Sequence, residues 1–218
     1  MDNKYEFFQE NLHKALPLGQ SFDILERKIY VAGCEAALYF VEGLVSSTRL
    51  QILLSFVSKE EKRMPVRMQW RSAEEFIEQR LPYAGATLTD DINIAVEGVL
   101  KGLAPLIVDG LDQIVMLEVR EYPARSVEEP SKEKSLRGAK DGFTEGFMTN
   151  IALVRRRIRK STLIFEYHRI GSDSGTDVAL VYMKDLADMA LVEKLGKKLA
   201  SIKVNTMTVA EQSVVEAL

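Results

Sequence analysis

YPARSVEEPSKEKSLRGAKDGFTEGFMTNIALVRRRIRK, residues 122–160, joins a charged linker (Ser126–Ser135), a small-residue turn (Arg137–Gly142) and one amphipathic helix. From Lys132 to Lys160 it holds nine basic residues against three acidic ones, a net +6, while the remainder of the chain carries −9. Charge concentrated like this in an acidic protein marks a contact, within the molecule or with a partner. Phe143, Phe147, Ile151, Val154 and Ile158 step by four, four, three and four, which predicts a helix that buries a single stripe. Asp141 is read as its N-cap. Glu145 suits the positive end of the helix dipole, and Arg155, Arg156, Arg157 and Arg159 suit the negative end.

Toward the N terminus, Tyr5, Phe8, Leu12, Ala15 and Leu16 recur at helical spacing until Pro17 and Gly19 close the pattern. Two strand-like runs follow, FDILERKIYV from Phe22 and EAALYFVEGLV from Glu35, joined through Ala32-Gly33-Cys34. Leu50, Leu53, Leu54 and Val57 then mark a helix face, and Ser58–Arg71 reads as a charged loop. Ser72 with Glu75 predicts a capping box, and Asp90 or Asp91 caps a further helix ending near Gly102. LAPLIVDG and DQIVMLEVREY read as strands that turn at Gly110-Leu111-Asp112. Beyond residue 160, LIFEYHRI and TDVALVYM form a hairpin across Gly171–Gly175. Leu191, Val192, Leu195 and Leu199 line another helix. Lys203–Met207 is read as a short strand and Thr208 as the cap of a last helix.

The two parts look alike. Strand, Gly turn, strand and helix from Ile24 to Val57 match Phe165 to Leu199 with one residue added in the turn, so that Ala37-Leu38-Tyr39-Phe40 overlies Ala179-Leu180-Val181-Tyr182. Leu106–Leu111 is a fainter third copy of the strand and turn. This predicts an α/β protein of two small related subdomains, each a mixed sheet flanked by helices and joined by a charged linker. The division expected is an N-terminal helix (1–20), a first subdomain (21–125), a linker (126–136) and a second subdomain (137–218).

Composition bounds the function. With 218 residues and a net charge of −3, the chain can bury a sizeable core and offers no general attraction to nucleic acid. A single cysteine, Cys34, excludes an internal disulfide framework. No signal peptide is legible at the start, and the apolar runs are too short to span a bilayer, so the polypeptide is expected to be soluble. No P-loop or dinucleotide turn is present, and His13, His168 and Cys34 lack the spacing of a zinc site. Gly171–Gly175 is a polar hairpin turn, with Asp173 where a nucleophile elbow would carry serine. Asp109 and Glu42 precede glycines at strand ends, which is first of all turn chemistry. No catalytic residue, cofactor or metal is expected.

Three consecutive arginines on a helix point three ways and cannot form one nucleic-acid stripe. They are read as a solvated helix end pairing to Glu128, Glu129 or Glu133, with a partner or lipid-headgroup contact as the alternative. Arg137-Gly138, placed just before the helix, reads as an anion-accepting corner.

Arg125, Glu129-Pro130, Glu133, Arg137-Gly138, Asp141-Gly142-Phe143, Glu145, Asn150 and Arg155-Arg156-Arg157 together resemble the signature of the GerA spore germination proteins. These are the A subunits of nutrient germinant receptors and their relative, stage V sporulation protein AF. The resemblance runs from Phe22 through most of the chain. It implies the soluble N-terminal region of a protein whose membrane domain follows, in the inner membrane of the dormant spore, with this region on the core side. It also implies partners, either B- and C-type receptor subunits or a small cognate protein, and self-association of the full-length protein. The role implied is germinant sensing, signal coupling and receptor assembly, with the A-type subunit as an ion-conducting component. The alternative is that the cleft between subdomains binds a small-molecule germinant, as periplasmic binding proteins do. Ala139 stands where many members have proline, and Lys184-Asp185 replaces an acid-Gly turn, which leaves receptor A subunit and stage V protein AF both open.

Overall fold

In the computed structural model, residues 4–58, 70, 72–81, 85–122, 142–171 and 175–202 are described. Their order is α1 (Lys4–Ala15), β1 (Ile24–Val31), β2 (Cys34–Val41), α2 (Ser47–Ser58), α3 (Ala73–Arg80), β3 (Ala86–Thr89), α4 (Ile92–Leu100), β4 (Ala104–Val108), β5 (Ile114–Leu117), α5 (Phe147–Arg157), β6 (Leu163–Ile170), β7 (Thr176–Met183) and α6 (Met189–Ser201). The expected linker, the strand at Lys203–Met207 and the helix at Thr208 lie outside these residues, as does most of the Ser58–Arg71 loop.

Five strands form one sheet in the order β1-β2-β4-β5-β3, and β6 and β7 form a second. The α/β class with helix-flanked sheets holds. Every described pairing is antiparallel, however, where mixed sheets were expected. β3 and β4 both run against β5, so β3-α4-β4 is a split crossover with β5 inserted between its strands. β3, the short edge strand ATLT, was not legible in the sequence.

β2 reads as an unbroken apolar run because both faces of the large sheet are covered. On one side Leu38, Phe40, Leu106 and Val115 pack with Leu53 of α2 and Phe76 of α3. On the other, Tyr39, Val41, Ile107 and Met116 pack with Phe8 and Leu12 of α1 and Val99 of α4. Ser72 caps α3 by accepting the Glu75 N–H, and Asp91 caps α4 by accepting the Asn93 N–H. α1 is also tied down by Glu26 of β1, whose carboxylate accepts from His13 (2.9 Å), Gln9 (3.2 Å) and Tyr39 (2.9 Å).

The small sheet has α5 on one face and α6 on the other. Leu163 and Phe165 meet Ile151, Phe147 and Val154 of α5. His168 is mostly covered under α6, where Gly196 leaves room for it and Glu166.

The two hairpins correspond more closely than the sequence suggested. β1 and β6 are eight residues long, as are β2 and β7. The structural match places Ile24 on Leu163, two residues before the Phe165 read from sequence, so the turn between β6 and β7 holds three extra residues rather than one. From Cys34 on Thr176 through the start of α2 on α6, the match keeps the register read from sequence.

Candidate functional site

α5 starts at Phe147, later than its apolar stripe predicted, and its N-cap is Gly146 with no side-chain cap. The N-cap is therefore not Asp141, which, like the Arg137-Gly138 pair, lies outside the described residues. Phe143, intended as the first residue of the stripe, is 72% exposed. The entry is fixed instead by Asn150, which accepts the Thr144 N–H and donates to the Thr144 carbonyl, both at 2.7 Å. This bracket ties the chain entering α5 to the helix's own first turns.

At the other end of α5 the three arginines separate into three environments. Arg157 is exposed. The Arg156 guanidinium lies 4.7 Å over the Tyr122 ring, and the Tyr122 hydroxyl donates to the Lys101 carbonyl at 2.8 Å. Arg155 is fully buried, against the expectation of a solvated helix end. The reason is helical phase: Phe147 and Ile151 step by four onto Arg155 as readily as by three onto Val154, so Arg155 belongs to the buried stripe.

Its partner is Asp23, which is also fully buried and stands just ahead of β1. Arg155 Nε donates to Asp23 Oδ2 at 2.7 Å and Nη2 to Oδ1 at 3.0 Å, a two-pronged pairing that matches the planar guanidinium to the carboxylate. Nη2 also reaches Ser21 Oγ (3.1 Å) and the Leu163 carbonyl (3.0 Å), and Nη1 reaches the Lys160 carbonyl (2.9 Å). Ser21 donates to Asp23 Oδ1 at 2.5 Å and accepts the Phe165 N–H at 3.0 Å, so its hydroxyl is saturated. The guanidinium lies 4.8 Å over the Phe165 ring. A charge pair removed from water persists only when its remaining polar atoms are satisfied, as they are here.

The surroundings make this node a seam. Phe22, between the two polar residues, stacks on Phe147 (5.8 Å) and meets Phe165 and Tyr167 edge-on. The Phe22 N–H donates to the Phe165 carbonyl at 3.1 Å. α5 also reaches the large sheet. Ala152 is buried in that sheet's core, and a Cβ placed on Gly43 would sit 3.0 Å from Ala152 Cβ. Gly43 has φ +85°, so the Glu42-Gly43 turn both needs glycine and is closed over by the helix. The five-stranded lobe and the hairpin lobe are joined here by a salt bridge, an aromatic cluster and a backbone-to-helix contact.

Of the residues read as a signature, Arg125, Glu129, Pro130, Glu133, Arg137, Gly138 and Asp141 lie outside the described residues. Gly142, Phe143 and Glu145 are exposed ahead of α5, Asn150 holds the entry to that helix, and Arg155 and Arg156 are brought to the seam. Ser21, Phe22, Asp23, Gly43 and Tyr122 were missed. The only signal available was the isolated acid of Ser-Phe-Asp at the mouth of a strand. Among the described residues no group of His, Cys, Asp and Glu could hold a metal ion, and no helix is long and apolar enough to cross a membrane.

Fold and seam define a two-lobed α/β module whose lobes are locked by a buried arginine. The family described as Bacillus/Clostridium GerA spore germination protein matches residues 10–218, and the chain belongs to this family. Stage V sporulation protein AF of Bacillus subtilis (strain 168) is 34% identical over 95% of this chain and 42% of its own length. Spore germination protein KA of the same organism is 26% identical over 87% of the chain and 35% of its own length. The chain thus spans less than half the length of these curated relatives. The crystal structure of the N-terminal domain of the A subunit of the Bacillus megaterium spore germinant receptor GerK3 matches with a TM-score of 0.64 and 26% identity, covering 97% of this chain and 74% of that one.

Proposed function

We propose that this chain is the N-terminal assembly and signal-coupling module of a GerA-family germinant receptor A-type subunit at the spore inner membrane, on the core side, without catalysis of its own. On this reading residues 21–125 and 137–218 act as related lobes joined by the 126–136 linker. They engage B- and C-type receptor subunits or a small cognate protein, and transmit germinant binding elsewhere in the receptor as a change in lobe placement. The observation that carries the reading is the Arg155–Asp23 pair, which fixes one orientation between the lobes. A packed aromatic seam suits coupling better than it suits an open ligand cleft.

The test replaces the pair in full-length receptor by apolar residues of similar size, Asp23→Leu with Arg155→Met, which keeps burial while removing directional bonding. Germination rate and receptor level are then measured together. Slowed germination at unchanged receptor level, or loss of co-purifying subunits, is expected. Normal germination with a normal complex refutes the proposal.

A further inference from the structure

β7 is built like an interior strand and, among the described residues, stands at an edge. At the open end of the first hairpin the Glu42 N–H donates to the Asp23 carbonyl at 2.8 Å, and at the same place in the second the Lys184 N–H donates to the Thr162 carbonyl at 2.8 Å. Ladder bonds alternate along an antiparallel pair. Even-numbered residues of β2 and β7 therefore turn their backbone groups to the hairpin partner, and odd-numbered ones turn them away.

In β2 the outward side is occupied. The Glu35 carbonyl accepts the Asp109 N–H at 2.7 Å, and Ala36 to Leu38 pair with Val108 to Leu106 of β4. The equivalent outward groups of β7 belong to Asp177, Ala179 and Val181, and among the described residues no strand pairs with them. Exposure follows the same division. Tyr39 and Leu44 are fully buried, whereas their counterparts Val181 and Leu186 are 42% and 79% exposed. Edge strands ordinarily carry charge that discourages pairing. β1, the outer strand of the large sheet, does so with Glu26-Arg27-Lys28, while β7 is uncharged from Val178 to Met183.

We infer that the outer edge of β7 is the seat of an antiparallel strand of the β4 type, an aliphatic run closing on Asp-Gly, supplied by a more C-terminal part of a longer GerA-family polypeptide. The solved Bacillus megaterium domain is 74% covered by this chain while 97% of this chain is matched, so that domain has further polypeptide from which such a strand can come. Main-chain pairing would supply affinity, and the exposed apolar face of β7 would supply selectivity. The inference stands on the hairpin correspondence and not on the coupling role of the seam.

The probe is a peptide of this chain's own β4 sequence, KGLAPLIVDGLD (residues 101–112), added to the 218-residue protein and read by amide hydrogen exchange and sedimentation. In the free monomer the amides of Asp177, Ala179 and Val181 should exchange freely. Saturating peptide should slow them about tenfold or more with 1:1 stoichiometry. A scrambled peptide should do nothing, and Ala179→Pro, which removes an outward N–H but no bond to β6, should abolish the effect. Absence of protection at millimolar peptide overturns the inference. Protection already present in a concentration-dependent dimer assigns the edge to a second copy, and protection in the free monomer assigns it to the chain's own residues; either result overturns the occupant inferred here.

Discussion

Replacing Arg155 by methionine keeps the bulk of the side chain and removes every polar bond that the guanidinium makes. Asp23 would lose both guanidinium bonds and keep only the Ser21 hydroxyl among the donors described, inside a site with no exposure. Breaking a buried ion pair from one side costs about 3–5 kcal/mol, because the surviving charge is left desolvated. The carbonyls of Lys160 and Leu163 also lose their donor, which adds about 1 kcal/mol or more. A loss of about 4–6 kcal/mol is a large share of the 5–15 kcal/mol typical of a folded domain. For a chain of this size it corresponds to a fall in Tm of roughly 10–20 °C. The assay is urea unfolding followed by circular dichroism, with Asp23→Leu and the double variant completing a cycle. The double variant should recover to within about 2 kcal/mol of wild type, giving a coupling energy of about 2 kcal/mol or more. A loss below about 1 kcal/mol for Arg155→Met, or additive single effects, would refute the reasoning.

Gly43→Ala should destabilise by about 1–3 kcal/mol, since it puts a Cβ against Ala152 at a positive φ. Gly19→Ala, also at positive φ but with nothing within 4 Å, should cost only about 1 kcal/mol, and equal losses in thermal melts would deny the close approach of α5. Burial pushes the Glu26 carboxyl up, but the bonds from His13, Gln9 and Tyr39 outweigh it and hold it below its ordinary 4.5. A carboxyl lowered by folding stabilises fully above its unfolded value and loses that contribution as pH falls through the folded one. Glu26→Gln should therefore be less stable than wild type by on the order of 1 kcal/mol in a urea titration at pH 7, with a smaller gap in one at an acid pH below 4.5. A gap that stays constant between those two urea titrations counts against the bonding described.

Most elements were legible because their burial is periodic. α1, the two hairpins and α6 follow directly from apolar spacing, and Ser72 and Asp91 cap where side-chain chemistry says they should. The start of α5 was misplaced because Phe143 fits the helical period, while the helix is actually entered through the Thr144–Asn150 bracket. β3 escaped because four residues, ATLT, carry no periodic signal and are held by pairing with β5. Arg155 escaped for a different reason. Charge in sequence argues for solvent, and only the position of Asp23, brought alongside by the packing of β6, makes burial tolerable. Sequence marked this segment as a contact, but it looked for the arginine's partner among nearby glutamates, whereas the partner lies at the far end of the chain.

That distance has a bearing on how the molecule can be divided. Ser21 and Asp23 are covalently part of the first lobe, yet by contact they complete the second, where they neutralise Arg155 and accept the Phe165 N–H. A cut through residues 123–141 would leave one fragment with a buried arginine and no acid, and the other with a buried acid and no base. The covalent boundary and the energetic boundary do not coincide, and the second lobe is physically whole only when residues 21–23 go with it.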